Sequence, residues 1–190
     1  MDFLRIGRRL RRKMLIGFTG VILTLSAKPG YSKVSKDTAN KFVQIIDVTE
    51  NLLLKKDPSN ADLEVFNNAT IAYYKSLSED ILRSIKQNKY EDAQKEIELF
   101  SSSFKAINLE ARKNFPQYEA LREEILEEIK LLAGKITKDI IANLRNEKDS
   151  KAAQLEILFN KLVKITKELG GNKKFLAEFK LQIFEVKSGV

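Results

Sequence analysis

The feature that most constrains the fold is an apolar stripe between residues 90 and 111. Its seven members recur at spacings of three and four residues: Tyr90, Ala93, Ile97, Phe100, Phe104, Ile107 and Ala111. Residues three and four apart lie on one face of an α-helix, so this spacing predicts a helix with a continuous apolar face. Three serines at 101–103 lower the helix propensity locally, but the stripe continues across them, which favours one uninterrupted helix.

The segments on both sides carry similar stripes, which other helices must cover. Spacing and capping signals predict helices over residues 36–56, 60–86 and 116–146, followed by two more after residue 150 and after Asn172. No segment alternates with a period of two for long enough to be a strand. We therefore predict an all-α protein, an up-down helical bundle of about four to six amphipathic helices that follows an N-terminal signal peptide.

Several helix ends carry local signals. Ser35 or Asp37 is a candidate cap for the first helix, and Ser59 with Asp62 resembles a capping box at the start of the second. The pair Gly170-Gly171 predicts a helix stop, because glycine tolerates the left-handed conformation that often follows a helix. These signals place the helix boundaries independently of the apolar stripes.

A short turn at residues 87–89 joins two of the predicted helices and indicates an antiparallel hairpin. The stretch Ile85–Ala93 (IKQNKYEDA) resembles the turn between the two helices of a tetratricopeptide repeat, in which an aromatic residue and an alanine lock the hairpin. A tetratricopeptide array requires the pattern to recur at about 34 residues, and it does not recur in this chain. We interpret the stretch as a tight helical hairpin and assign no family.

The first 27 residues have the pattern of a secretory signal peptide. Residues 1–13 are basic, residues 14–27 (MLIGFTGVILTLSA) carry no charge and end in small side chains, and residues 28–35 form a polar linker. An uncleaved membrane anchor is the main alternative, although 14 apolar residues fall short of the roughly 17–25 that span a bilayer. A basic nucleic-acid arm and a twin-arginine export signal at Arg11-Arg12 are further alternatives. The bundle domain is predicted over residues 36–188.

The net charge of +8 comes largely from this N-terminal segment. Residues 1–27 hold six basic side chains against one acidic one, whereas the rest of the chain holds 28 basic against 25 acidic. The body is therefore close to balanced, and its charge gives little reason to expect a nucleic-acid partner.

The chain lacks most of the residue types on which catalysis and cofactor binding depend. It has no cysteine and no histidine, and its two methionines are Met1 and Met14, both in the predicted signal peptide. Zinc and copper sites, haem with an ordinary axial ligand, histidine-based triads and thiol nucleophiles are excluded on these grounds. Carboxylate, lysine, tyrosine and hydroxyl chemistry remain. We predict a protein that is not an enzyme and has no cofactor.

One dense acidic cluster lies in the fourth predicted helix: Glu123, Glu124, Glu127 and Glu128. Carboxylate oxygens are the ligands that hard cations prefer, so one hypothesis is that this cluster binds such a cation. The favoured interpretation is a solvated helix face, because these positions lie between the apolar ones and Arg122 and Lys130 are close by.

Tyr73 and Tyr74, followed by Lys75, have the composition of a base-stacking platform. Tyr73 belongs to the apolar stripe of the second helix, so a place in the core is the favoured interpretation.

These observations predict an exported, non-catalytic helical-bundle protein of the cell envelope that acts by protein binding or scaffolding. Its location is the periplasm, the cell surface or the exterior, and its partner is another protein or a second copy, bound through a helix face. One alternative is an extracytoplasmic small-ligand or hard-cation binding bundle that uses the acidic cluster. A second is a basic nucleic-acid or membrane-surface protein that retains residues 1–27, which is also the only route to membrane contact that we predict.

Overall fold

The structure is a computed structural model that describes residues 34–55, 58–114, 118–171 and 174–189. Every regular element in these ranges is an α-helix, and the six helices are α1 Lys36–Leu54, α2 Asn60–Lys86, α3 Tyr90–Asn114, α4 Tyr118–Arg145, α5 Asp149–Glu168 and α6 Lys174–Ser188. The all-α prediction is confirmed for this part of the chain, and α3 runs uninterrupted through the three serines. The predicted signal peptide, residues 1–27, lies outside the described residues.

Four of the six described helices form two antiparallel hairpins, and the other two pack against them. Three-residue turns at 87–89 and 146–148 join α2 to α3 and α4 to α5. One hairpin lies on the other, with α2 against α4 and α3 against α5, while α1 packs on α2 and α6 packs on α4. Each helix therefore covers the apolar face of a neighbour, as the stripes require. None of the helices in the described ranges is both long enough and apolar enough to cross a membrane.

Both hairpin turns lie at the same end of the bundle. Tyr90 lies just after the first turn, where burial raises the pKa of its hydroxyl and the nearby Asp139 carboxylate of α4 adds to the rise. Further along α3, the Glu98 carboxylate meets Lys161 of α5 at 2.5 Å, well past the second turn. Moving along α3 away from its turn thus also moves away from the turn between α4 and α5. We call this the hairpin end, and the amide of Ser35 at the start of α1 is bound there to Asp80.

The stripe of α3 forms the centre of the core. Ala93, Ile97, Phe100 and Phe104 are buried, whereas Tyr90 at the start of the helix is half-buried. The last two members of the stripe, Ile107 and Ala111, have side chains outside the described set. Phe100 and Phe104 of this stripe contact Tyr74 of α2, as expected for a helical hairpin with a short turn.

A row of aromatic rings connects α1 to α3 through α2. The ring of Phe42 lies 5.3 Å from that of Tyr73, which lies 5.1 Å from Tyr74. Tyr74 in turn lies 4.6 Å from Phe100 and 6.2 Å from Phe104. Both tyrosines are fully buried, which confirms the core interpretation of Tyr73 over a base-stacking platform. Tilted and edge contacts of this kind add to the free energy gained from burial.

The predicted starts of the first two helices are confirmed, whereas the start predicted at residue 116 and the cap at Asn172 lie outside the described residues. The Ser35 side chain accepts a hydrogen bond from the amide of Thr38, and Ser59 and Asp62 form a reciprocal capping box. An ion pair with Lys55, together with hydrogen bonds from Ser59, lowers the pKa of Asp62 to about 2. These bonds satisfy amides that would otherwise lack partners at the first turn of a helix.

Three helices end in the same way, with one residue at positive φ. These residues are Asn88 (58°), Glu147 (56°) and Gly170 (69°). In each case the following amide reaches back to a carbonyl five residues earlier, as from Gly171 to Thr166 at 3.0 Å. The amide of the positive-φ residue itself bonds to the carbonyl three residues earlier, as from Gly170 to Lys167 at 3.1 Å. These two hydrogen bonds form the Schellman motif, which favours glycine because other L-residues are strained at positive φ. The glycine stop predicted from the sequence is confirmed, and Glu147 occupies the same conformation with a side chain that disfavours it.

Gly134 marks a close crossing of α4 and α6. A Cβ atom at this position would lie 3.2 Å from the tip of the Phe179 ring, tighter than an ordinary contact. The absence of a side chain therefore lets the half-buried ring of α6 lie directly on the backbone of α4.

We expect Phe104→Ala to lower the free energy of unfolding by about 3–5 kcal/mol, because it removes a fully buried ring and leaves a cavity. Urea titration followed by circular dichroism measures this loss. Val43→Ala, at a position 53% exposed, is the control and should change stability by less than about 0.5 kcal/mol. Equal losses for the two variants would contradict the placement of Phe104 in the core.

We expect Glu147→Gly to raise the free energy of unfolding by roughly 0.5–1 kcal/mol, because glycine relieves the strain of positive φ. The greater entropy of glycine in the unfolded chain offsets only part of this gain. Gly170→Ala is the reciprocal variant and should lower stability by roughly 1 kcal/mol. A Cβ atom there has ordinary room, with Arg122 3.7 Å away, so the variant reports on the backbone alone. Changes of the same sign in both variants would refute this account of the helix ends.

Candidate functional site

The acidic cluster predicted from the sequence lies on the solvent-facing side of α4. Glu123 and Glu127 are highly exposed and form ion pairs of 2.8 Å with Arg122 and Lys130. Glu124 is exposed and Glu128 is half-buried. Within the described ranges, no three acidic side chains are grouped so as to hold a metal ion. The geometry resembles a solvated face, and the hard-cation hypothesis stays an untested prediction.

The most polar part of the interior lies instead at the hairpin end, along one side of α2. Ser76, Asp80 and Ser84 are four residues apart, so successive turns of α2 place them on one face. Thr38 of α1 and Glu96 of α3 meet this face from the two neighbouring helices. All five side chains are buried, and we call them the buried polar cluster.

Asp80 holds the start of α1 against α2. Its carboxylate, only 2% exposed, accepts hydrogen bonds from the amide of Ser35 at 2.8 Å and from the hydroxyl of Thr38 at 2.7 Å. The other carboxylate oxygen accepts from the Arg83 guanidinium at 2.6 Å. A negative charge at the first turn of α1 also interacts favourably with the helix dipole. The charge of Asp80 is therefore well compensated despite its burial.

Glu96 is less well compensated. It is 4% exposed, and one carboxylate oxygen accepts a hydrogen bond from Ser84 at 3.1 Å. The other oxygen, Oε2, is buried and has no hydrogen-bond partner in the described part of the protein. Burial raises the pKa of Glu96 to about 7, and the nearby carboxylates of Asp80 and Asp92 add to this rise, while Ser84 and Arg83 oppose it. Glu96 is thus mainly protonated in weakly acidic solution.

A carboxyl group that titrates near neutral pH has the pKa of a general acid or base. Catalysis also requires that a substrate reach the group, and Glu96 is enclosed between α2 and α3. The chemistry that this arrangement supports is therefore proton binding coupled to folding of the hairpin, since the protonated form is the one that the interior tolerates.

The sequence carried a signal for this cluster that the apolar stripes did not use. Polar residues at 76, 80 and 84 recur every four positions in α2, beside the apolar stripe. Such a polar row normally predicts a solvent-facing edge. In this structure α1 and α3 cover it, and their own polar side chains supply the hydrogen bonds that burial requires.

A second candidate region is the outer side of α6. Leu181 and Phe184 are 56% and 64% exposed, the highest values among the large apolar residues in the described ranges. Leu176 and Ile183 lie on another side of the helix, about 80–160° around from these two residues, and are buried against the bundle. This helix therefore has two apolar sides, of which one is covered by α4 and the other faces solvent.

Two open grooves also lie on the surface of the described residues. One, of about 440 Å³, lies between the end of α1 and the start of α2 and contains the Lys55–Asp62 ion pair. The other, of about 500 Å³, lies where α4, α5 and α6 meet and is lined in part by Leu144 and Val186. Both are broad and open to solvent, unlike the concave, enclosed sites that bury most of a small ligand.

Comparison of the chain with protein-family models, with curated proteins and with solved structures found no match. Any functional conclusion therefore depends on the residues themselves.

We expect the free energy of unfolding to fall as the pH rises from about 5 to about 8, by roughly 1–3 kcal/mol, because the native state holds the Glu96 proton more tightly than the unfolded chain. In the unfolded chain this carboxyl titrates near its ordinary value of 4.5, so the loss begins there and is complete above about pH 7. Urea titrations across this range measure it. Glu96→Gln should remove the slope, whereas Glu91→Gln, at an exposed position of the same helix, should keep it. A slope that survives Glu96→Gln would refute the assignment. The Asp62 capping box acts in the opposite sense, but only well below this range.

Proposed function

We propose that this chain is an exported, non-catalytic helical-bundle protein of the cell envelope, and that it acts by binding or scaffolding proteins through a helix face. The observation that carries the proposal is the solvent-facing apolar side of α6. Exposed apolar residues that are grouped rather than scattered are typical of surfaces that contact another protein.

The outer side of α6 supports the binding part of the proposal in two ways. Leu181 and Phe184 are three residues apart, so they form one continuous patch. An exposed aromatic side chain such as Phe184 is the kind of residue that contributes most to protein interfaces. The buried side of the same helix already fixes α6 to α4, so the outer side is presented on a packed element.

The residue inventory supports the non-catalytic part. Without histidine or cysteine anywhere in the sequence, acid-base and nucleophilic chemistry would have to come from carboxylates, lysines, tyrosines or hydroxyls. The carboxylate with the most strongly raised pKa in the described ranges is Glu96, and it is enclosed. Its position favours a structural use.

The N-terminal sequence supports export. A basic start, an uncharged apolar run and a small-residue exit form the pattern that secretion machinery recognises. The bundle that follows has few charges in excess, so its surface gives little attraction to nucleic acid once the first 27 residues are removed.

We expect the full chain, expressed in a secreting bacterial host, to be recovered outside the cytoplasm with an intact mass that lacks about the first 27 residues. Mass spectrometry of the purified protein measures this. A matched chain in which Ile22 and Leu23 are replaced by aspartate should stay in the cytoplasm at full mass, because charges interrupt the apolar run. Full-length wild-type protein found only in the cytoplasm would refute export and would favour the alternative of a basic protein that retains its N-terminal segment.

We expect the double variant Leu181→Ser/Phe184→Ser to lose the protein contacts that the wild type makes, because it removes the apolar side of α6 while leaving the core intact. Cross-linking of the tagged protein in envelope fractions, followed by mass spectrometry, measures this. Val43→Ser/Val65→Ser is the matched control, since both valines are 53% exposed and lie on α1 and α2. Equal cross-linking by all three proteins, or no protein contact at all, would count against binding through α6.

A further inference from the structure

The outer side of α6 has a charge pattern as well as an apolar centre. Lys180 and Glu185 are exposed, and in the described part of the protein neither forms an ion pair. At 100° per residue they lie about 70° to either side of the line through Leu181 and Phe184. One edge of the patch is therefore positive and the other is negative.

The two charges cannot pair with each other within one copy of the helix. Residues five apart point in directions about 140° apart, so Lys180 and Glu185 cannot reach each other across the apolar patch. Two helices that lie side by side in the same direction bring such residues together, because a residue on one edge then faces the residue five positions later on the other helix.

We propose that two copies of this chain associate through the outer sides of α6, with the two helices parallel and Leu181 and Phe184 at the centre of the contact. Lys180 of each copy then faces Glu185 of the other, so the contact contains two such pairs related by a two-fold axis. The proposal rests on the proposed function, since it names a second copy as the partner of the helix face.

The opposite direction is disfavoured by the same charges. In an antiparallel pair, Lys180 would face Lys187 of the second copy, and Glu178 would face Glu185. Lys187 pairs with Glu156 of its own chain at 2.6 Å, which offsets part of its charge. The two glutamate contacts would repel, and the two lysine contacts would repel less strongly, so the pattern selects the parallel arrangement.

The contact is small, and we expect the association to be weak. Each copy contributes two large apolar side chains that are already partly covered, together with the small residues Ala177 and Ser188 one turn away. An interface of this size supports a dissociation constant on the order of 100 µM. Attachment of two chains to one surface would raise their local concentration and favour the pair.

Single cysteines test the direction of the contact cleanly, because the natural sequence has none. In the parallel pair Ala177→Cys faces itself, and oxidation should give a disulfide-linked dimer, as it should for Ser188→Cys. In an antiparallel pair neither variant would link to itself, but a mixture of the two would link to each other. Val43→Cys, at an exposed position on α1, is the control for random collision. No excess of Ala177→Cys dimer over this control would overturn the parallel arrangement.

A charge exchange tests the specific pairing. By sedimentation equilibrium, Lys180→Glu and Glu185→Lys should each weaken self-association about 5–10-fold, since each turns two attractive pairs into repulsive ones. The double variant Lys180→Glu/Glu185→Lys should restore it, because the pairs are reformed with their charges exchanged. Helix content by circular dichroism should be unchanged throughout, as both residues are exposed.

The outcomes separate this proposal from the broader function. A wild-type chain that stays monomeric to about 1 mM, well above the expected dissociation constant, would overturn self-association. If Leu181→Ser/Phe184→Ser still lost the envelope contacts of the wild type, binding through α6 would stand with a different partner. Failure of the double charge variant to recover association would overturn the pairing of Lys180 with Glu185.

Discussion

The burial of α2 on three sides is the constraint on which the rest of this structure depends. Helices α1, α3 and α4 all pack on it, so little of its circumference is left for water. A helix in that position contributes a large apolar area, with Tyr73, Tyr74 and Leu77 almost completely enclosed. Burial also favours a hydrogen-bond partner for each charged side chain that this helix carries inward. Asp80 meets this requirement through the first turn of α1, because its carboxylate accepts hydrogen bonds from the Ser35 amide and the Thr38 hydroxyl.

The same constraint explains which parts of the fold were predictable from the sequence. Helix starts and stops depend on local chemistry, so Ser35, Ser59 and Gly170 identified them correctly. The described part of the α3 stripe was equally predictable, because its residues recur at three- and four-residue spacings and are buried or half-buried. For α2, one stripe of apolar residues accounts for only part of the buried surface, and Tyr74, Ser76 and Asp80 lie beside that stripe yet are buried. A period of 3.6 identifies one buried face, whereas a helix with three neighbours has no single face.

The candidate sites divide in the same way. The glutamates of α4 were conspicuous because four of them fall within six residues, and that density turned out to accompany exposure and local ion pairs. Glu96 stands out only when α2 is folded beside α3, since its environment is made by Ser84, Asp80 and Arg83 from another helix. The outer side of α6 was hidden for a different reason. The buried apolar residues of α6 already form a helical stripe in the sequence. Two further apolar positions in so short a segment do not change that apolar periodicity.

The attachment of α6 has a consequence for how the protein opens. This helix packs mainly on α4, by contacts that include the ring of Phe179 against Gly134, while the row of aromatic rings lies among α1, α2 and α3. A segment held mainly by one neighbour can detach without disturbing that row, so its amide hydrogens should exchange through a local opening rather than through global unfolding. A partner bound to the outer side of α6 would then also change how often the inner side detaches from α4. By mass action, a partner that binds α6 only when α6 is packed on α4 also stabilises that packing. Binding of the partner and docking of α6 are therefore coupled equilibria.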